Sequence, residues 1–476
     1  MMIASVAWLA RLVGLAPSPA LLETCARLVS VLAGTLLLIP LHRLARRLLG
    51  EEGAWIAVLL AAFHPRLVQY SGAALTEMPF GLLLLTGLAA LAAACGEGAS
   101  AARRATLEAG AGATLGLAYL VRPEGLILGG VLWLWRWLAR PGPAASRAGP
   151  AFLLGAALVA LPYLNHVHGQ LGYASIGLKG SYNFWREFKS EYAQVYPAPK
   201  VLAQRASESE ELAAPLPPER IHVTGFVFRR PGIVLAHVVR NLSVILVSSI
   251  PVALYHVYLV LAILGASRVP PGPWWIVGVP LLALPLLYAP ISADRRFFVP
   301  AIPLLLVFTS RGLETARTWL EQRGVAQATA VARAGLAGLV LFGLLYSILR
   351  VGPLDDAPEH RAAGQWLANH WQKISAAHPP QGSNHGRPVV MSRKPWVAFY
   401  SGGLIAELPG GSLAEVLNRA REKQADVLVI DERWIRATRR ELLPLLDPAQ
   451  APPRLAVLHP IDSPRRIILY DLRAVR

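Results

Sequence analysis

The sequence predicts a mainly α-helical, polytopic membrane protein of about ten spans with a small C-terminal α/β domain outside the membrane. The first observation is composition. Of 476 residues, 54% are hydrophobic and only 16% are charged, and the mean hydropathy is +0.44, outside the mix expected of a soluble globular protein. The second is the recurrence of apolar runs, at 28–42, 53–64, 78–95, 107–121, 125–139, 149–166, 241–264, 274–291, 296–310 and 328–350. The third is a change of character near residue 352, after which apolar runs shorten and charges intersperse.

Several runs fall short of the ~20 residues that cross ~30 Å of hydrocarbon, so they recruit flanking residues or lie buried among neighbours. The formal net charge of +17 does not mark a nucleic-acid partner, because the basic residues are not gathered on one soluble domain. They recur as Arg in gaps between apolar runs, at 43–52, 96–106, 136–148, 265–272 and 311–326, which the positive-inside rule places on the cytoplasmic side. Trp133, Trp135, Trp137, Trp274 and Trp275 then fall at that interface, where amphipathic rings prefer to sit. The remaining gaps face outward: the turn around Glu77, the turn "VRPEG", a segment at 167–237, the turn "ISADRRFF" and everything after about 352. The expected division is a transmembrane domain at 1–351, carrying the outer loop at about 167–237, and an extracytoplasmic α/β domain at 352–476.

Within the outer loop, "HGQLGYASIGLKGSYNFWREFKSEY" is aromatic and basic, whereas "ASESEELAAPLPPER" reads as a spacer. In the C-terminal part, "RPVVMSR", "ADVLVIDE", "RLAVLHP" and "RRIILYDL" read as strands, and "EHRAAGQWLANHW" and "SLAEVLNRAREKQ" have helical spacing. Ser412 followed by Glu415 is a capping-box pattern. Two cysteines, Cys25 and Cys95, make no disulfide framework.

Arginine on the outer side runs against the charge bias of the other loops, so Arg66, Arg122, Arg295 and Arg296 call for another reason. An anionic ligand supplies one. A planar guanidinium donates two parallel hydrogen bonds to a phosphate, and that pairing strengthens in a partly dehydrated membrane mouth. Lys179, interleaved with Tyr182 and Trp185, adds charge and stacking surface on the same side. Glu77, Glu124 and Asp294 are carboxylates in tight outer turns, placed to act as a base or to bind a metal. For Glu77 a structural explanation competes, with Thr76 as N-cap and Glu77 in the first helical turn. No P-loop, nucleophile elbow, dinucleotide fingerprint or zinc-like Cys/His spacing occurs in the chain.

From "CARLVSVLAGTLLLIPLHRLARRLLG" through "FHPRLVQYSGAALTEMPFGLLLL", "GLAYLVRPEGLIL", "LPYLNHVHGQLGYASIGLKGSYNFW" and "DRRFFVPAIPLLL", the chain resembles the GT-C superfamily of membrane glycosyltransferases. The likeness is to bacterial relatives of the protein O-mannosyltransferases and of the lipid A aminoarabinose transferase, over residues 25–350. The resemblance implies an enzyme of the inner (cytoplasmic) membrane that moves a sugar from a polyprenyl-phosphate donor to an envelope lipid, glycan or protein acceptor. It implies donor-phosphate binding by Arg66, Arg122, Arg295 and Arg296, a secondary acid in Glu77 with Glu124 and Asp294 beside it, and acceptor or sugar contacts from Lys179, Tyr182 and Trp185. Metal ligands are not readable, and a divalent cation is the one cofactor left open. The family's principal acidic motif lies in the first outer loop, and ahead of Arg27 the only acid here is Glu23. A further N-terminal span and loop are therefore expected upstream. Without them the expectation is a chain that binds donor lipid without transferring its sugar. A lipid-linked-sugar translocase is the other class that the arginines suit.

Overall fold

A computed structural model describes residues 8, 18–96, 100–139, 143–173, 175–176, 180–196, 221–269, 272–350, 352, 358–377, 386–462 and 464–475. The chain divides into a larger unit, which includes the described residues of Cys25–Val195 and Arg220–Leu354, and a smaller one that includes those of Asp355–Arg476.

The larger unit is helical. Its elements are α1 (Pro19–Leu36), α2 (Leu38–Ala62), α3 (Pro65–Ser71), α4 (Glu77–Ala94), α5 (Ala101–Val121), α6 (Glu124–Ala139), α7 (Pro143–Leu171), α8 (Gly180–Glu187), α9 (Lys189–Tyr192), α10 (Val223–Arg229), α11 (Pro231–Val244), α12 (Ile250–Leu254), α13 (His256–Ala266), α14 (Trp275–Tyr288), α15 (Ile302–Gln322) and α16 (Ala328–Arg350). Among the described residues, six stretches are long and apolar enough to cross a membrane: Pro19–Ala62, Glu77–Ala94, Gly149–Leu171, Pro231–Leu254, Arg295–Gln322 and Ala328–Arg350. α13 and α14 are shorter apolar helices. Every apolar run read from the sequence is helical.

The first of the six is two runs in one. The backbone of α2 leaves the helical region at Gly50, where φ is 78°, a conformation that costs glycine little because it has no Cβ. The kink falls in the Arg-bearing gap at 43–52, so the expected pair of spans is recovered on either side of it. The run at 241–264 departs from expectation. It is broken by a π-helical turn at Ile245–Ser249 and again at Tyr255, which holds φ 62° and ψ 139° between α12 and α13. No Gly or Pro stands at Tyr255 to announce that break.

Helices close in on one another where a side chain is missing. A Cβ on Gly112 of α5 would lie 2.0 Å from the Phe152 carbonyl oxygen of α7, and one on Gly155 of α7 would lie 2.1 Å from that of Ala109. α13 and α15 repeat the device: a Cβ on Gly265 or Gly312 would lie 2.0 Å from the carbonyl oxygens of Phe308 and Leu261 respectively. Lipid offers helices no hydrophobic driving force to associate, so such backbone-to-backbone approach is how they gain packing energy. The apolar core of this unit runs through Leu41, Leu44, Leu84, Leu88, Leu115, Leu304 and Val307.

The smaller unit contains α17 (Pro358–Ala377), β1 (Val389–Ser392), α18 (Trp396–Ser401), β2 (Leu404–Glu407), α19 (Leu413–Glu422), β3 (Val427–Asp431), α20 (Glu432–Thr438), β4 (Ala456–Ile461) and β5 (Ile467–Asp471). Its sheet has the order β2-β1-β3-β5-β4. β1 runs parallel to β2 and β3, whereas β5 is antiparallel to both β3 and β4. β3 reads VLVID because apolar layers cover it on both faces. Met391, Leu428, Ile430 and Tyr470 pack on one side with Val416 and Ala420 of α19. Val390, Val427, Val429 and Leu469 pack on the other with Ala363, Leu367 and Trp371 of α17. The four expected strands and both helices are present, and Ser412 and Glu415 form the capping box. β2 was not expected from the sequence. It is a four-residue edge strand, part exposed, entered through Gly402 at φ 67°.

Candidate functional site

Four helix ends meet in the larger unit. α4 starts at Glu77, the turn from α5 to α6 carries Arg122 and Glu124, and α14 finishes at Tyr288. The side chains at these ends are buried together: Glu77 is 4% exposed, Arg122 8%, Glu124 8% and Tyr288 4%. Arg122 is the hub. Its Nη1 donates to Glu77 Oε1 at 3.3 Å, its Nη2 donates to the Tyr288 hydroxyl at 2.9 Å, and its Nε lies 3.5 Å from Glu124 Oε2. The Tyr288 hydroxyl in turn donates to Glu124 Oε1. A guanidinium carries five N–H groups, so its fork matches several acceptors at fixed angles at once.

Aromatic rings wall this cluster. The Arg122 guanidinium lies over the rings of Phe297, at 5.2 Å, and Phe80, at 5.8 Å. Tyr288 stacks on Phe297 with centroids 4.5 Å apart and planes at 13°. Phe297 belongs to a 3₁₀ turn, Arg295–Ala301, opened by Asp294, whose side chain accepts from the Arg296 backbone N–H at 3.0 Å. The Arg296 guanidinium lies 5.1 Å from the centre of the same ring.

Glu77 is the informative residue. Thr76 stands at the N-cap position and Glu77 in the first turn as expected, but the Thr76 side chain makes no cap hydrogen bond, and the acid is held by Arg122 from 45 residues away. Its second oxygen, Oε2, is buried and makes no hydrogen bond among the described residues. Burying a charge is costly unless it is paired, and Arg122 supplies that pairing on one side only.

The other expected residues surround this centre to different degrees. Arg66 is half-buried in α3, donates to Gln69 Oε1 at 2.9 Å and lies 5.8 Å from the centre of the Tyr255 ring. Asp294, Arg295 and Arg296 are exposed, and Arg296 Nε lies 3.6 Å from Asp294 Oδ2. Tyr70 is buried in α3. Burial pushes its phenol above the ordinary value; Glu77 and Asp294 push the same way, while Arg66 and Arg295 oppose them. Trp185 of α8 is buried, next to Phe184, whose ring packs with Phe188 and Phe226. Lys179 and the side chain of Tyr182 lie outside the described residues. Among the described residues no three His, Cys, Asp or Glu side chains gather as metal ligands. Tyr288, Phe297 and Tyr70 were not singled out from the sequence. The signal for Tyr288 was slight: one hydroxyl closing the run WIVGVPLLALPLLY.

Chemically, the cluster holds one guanidinium against two carboxylates and a phenol in a dry setting. Among the described residues Arg122 is in contact with Glu77, Glu124 and Tyr288, while Arg295 and Arg296 are exposed and Arg66 is half-buried.

Comparison with known proteins agrees with the fold. Residues 5–165 match the family described as dolichyl-phosphate-mannose-protein mannosyltransferase. No curated protein matches the chain. The crystal structure of the Archaeoglobus fulgidus oligosaccharyltransferase in complex with Zn and sulfate is similar with TM-score 0.55 and 16% identity, over 87% of this chain and 57% of that one. A second structure from that organism, the oligosaccharyltransferase AglB with an inhibitory peptide and a dolichol-phosphate, gives TM-score 0.54 and 14% identity, over 87% and 59%. ArnT from Cupriavidus metallidurans bound to undecaprenyl phosphate gives TM-score 0.50 and 15% identity, over 95% of this chain and 84% of that one. The chain thus spans little more than half the length of the archaeal enzyme and most of the length of ArnT. The chain thus shares the fold of these membrane glycosyltransferases, and its first third matches the mannosyltransferase family, in line with the resemblance read from its sequence.

Proposed function

We propose that the protein transfers a sugar from a polyprenyl-phosphate donor to a lipid, glycan or protein acceptor at the outer face of the cytoplasmic membrane, with residues 352–476 as its extracytoplasmic domain. The observation that carries this reading is the state of Glu77: one carboxylate oxygen fixed by buried Arg122, the other buried and without a hydrogen bond among the described residues. A carboxylate so held is oriented and has a lone pair to offer a proton or a cation. Arg66, Arg295 and Arg296, grouped around Tyr70 and Phe297, are the complement for a donor phosphate. In the reaction, an acceptor heteroatom gives its proton to Glu77 and bonds to the anomeric carbon with inversion, the bond from that carbon to the phosphate oxygen breaks, and the electron pair leaves on the polyprenyl phosphate. Cations at the rim stabilise that developing charge. The ArnT and AglB structures are described as holding undecaprenyl phosphate and dolichol-phosphate, which supports the donor class.

The test is transfer from radiolabelled polyprenyl-phosphate sugars by the protein reconstituted in vesicles. Arg122→Ala and Glu77→Gln are expected to lower turnover by about a hundredfold or more, and Arg295→Ala with Arg296→Ala to raise the KM for donor. Full transfer by Glu77→Gln would remove Glu77 from the chemistry. Binding of labelled donor without turnover by the unaltered chain would favour an inert subunit over a transferase.

A further inference from the structure

The loop that joins α14 to the 3₁₀ turn is closed at its neck and held from outside by another helix. Tyr288 and Phe297 stack with centroids 4.5 Å apart, so residues 289–296 leave and return at one place, as in an Ω-loop. The loop bonds to itself through backbone N–H groups. Those of Ile291 and Ser292 each donate to the Tyr288 carbonyl at 2.8 Å, that of Asp294 to Ser292 Oγ at 3.3 Å, and that of Arg296 to Asp294 Oδ1 at 3.0 Å. Two of its carbonyls accept from elsewhere. Asn241 Nδ2 of α11 donates to Ala289 O at 2.9 Å, and the Ser249 hydroxyl, in the π-helical turn that continues α11, donates to Ala293 O. Both donor residues are buried.

The π-helical turn explains how two residues eight positions apart reach the same loop. In an unbroken α-helix of 3.6 residues per turn their side chains would point roughly 80° apart. Ile245–Ser249 winds more slowly, because its hydrogen bonds span five residues rather than four, and so takes up part of that angle. Leu246 and Val247 in the same turn are exposed apolar residues, whereas Asn241 and Ser249 turn inward. Asn241 Nδ2 also lies 2.9 Å from His237 Nε2, one turn back on α11, so its amide is held from two sides. The consequence falls on Arg295 and Arg296. Two residues of chain span at most about 7 Å, so fixing Ala293 leaves the backbone of Arg295 little freedom. Phe297, the next residue after Arg296, is fixed by its stack on Tyr288. The two exposed arginines therefore stand between two anchored points. An anchored backbone lowers the ordering cost of bringing two like-charged forks onto one phosphate.

We propose that Asn241 and Ser249 are positioning residues for the lipid phosphate: by clamping the carbonyls of Ala289 and Ala293 they hold the loop so that Arg295 and Arg296 present their guanidinium groups together at the rim. The inference rests on the reading above that these two arginines take the donor phosphate. It adds that their affinity is set by α11, through a hydroxyl and an amide that touch neither the arginines nor the ligand.

Binding of tritiated undecaprenyl phosphate to the full chain in nanodiscs tests this without needing turnover. Ser249→Ala and the nearly isosteric Asn241→Leu each remove one donor and are expected to weaken binding about fivefold or more, with faster hydrogen exchange in peptides covering residues 289–299. Ser249→Thr keeps the hydroxyl and should restore both readouts. Ser243→Ala is the control, because its exposed hydroxyl donates to Arg240 O of its own helix at 2.7 Å; it should change neither. In a chain already carrying Arg295→Ala and Arg296→Ala, Ser249→Ala should weaken binding by less than about twofold, since a positioning residue has nothing left to position. Should Asn241→Leu not fold, Ser249→Ala and Ser249→Thr make the same comparison. Unchanged affinity in the clamp variants, or a loss in Ser249→Ala that persists in full without the two arginines, overturns the inference while leaving the arginines on phosphate. Full affinity after Arg295→Ala with Arg296→Ala removes the arginines from phosphate binding, and the positioning role with them.

Discussion

The Tyr288 hydroxyl accepts from Arg122 Nη2 at 2.9 Å across 166 residues of sequence and donates onward to Glu124. One phenol therefore closes a ring of polar contacts among Arg122, Glu124 and itself, and fixes where the guanidinium points its remaining donor toward Glu77. A hydroxyl that is donor and acceptor at once is the group this bridge needs.

Tyr288→Phe keeps the ring stacked on Phe297 and removes only that bridge. The buried Arg122 Nη2 and Glu124 Oε1 then each lose a partner, a loss of about 1–3 kcal/mol. A lowered thermal midpoint is expected, together with a fall in turnover for transfer that exceeds any change in the KM for donor. Differential scanning fluorimetry in detergent and the vesicle assay measure the two. Turnover equal to that of the unaltered protein would mean that Arg122 is oriented adequately by Glu77 and Glu124 alone.

The parts of this site that were legible in the sequence are those that violate their surroundings. Glu77, Arg122 and Glu124 stand out because a charge at the edge of an apolar run has a cost that needs a reason. That the three form one cluster was not legible, since contacts spanning 45 and 166 residues depend on which helix ends meet. Tyr288 ends a run of apolar residues and Phe297 opens one, so neither violates anything locally. The same logic holds for the fold. Gly50 and the Arg-bearing gap around it announced a turn, whereas the break at Tyr255 uses a residue that disfavours positive φ, held among His64, Phe342 and Tyr346. β2 escaped because four residues at a sheet edge carry too little periodicity to be seen.

Gly312 supports a second prediction. A Cβ there meets backbone of α13 at 2.0 Å, and backbone cannot rotate aside as a side chain can. Gly312→Val is expected to force α13 and α15 apart, costing about 1–3 kcal/mol or more, seen as a drop in thermal midpoint and faster proteolysis. Gly335 of α16 is the internal control, because an added Cβ there meets nothing within 4 Å. Gly335→Ala should be neutral or stabilise by about 0.5–1 kcal/mol through better helix propensity. Equal midpoints for the two variants would show that the α13–α15 approach has slack.

Lys394 ties the stability of the smaller unit to pH. Burial, with Arg433 adding, lowers its ammonium from 10.5 to about 8 in the folded protein. Between these values the unfolded chain holds a proton that the folded chain has released, so stability rises with pH across that window. Below about 8 both forms are protonated and the full penalty of the buried charge is present. Hydrogen exchange of peptides from β1 and β3 in the full chain, corrected for the intrinsic pH dependence of amide exchange, should show protection increasing from pH 8 to 10. Lys394→Met has no charge to bury; it should be more protected than the unaltered protein at pH 7.5 and should lose the slope. A slope that persists in Lys394→Met would assign the pH dependence to another group and leave Lys394 adequately solvated.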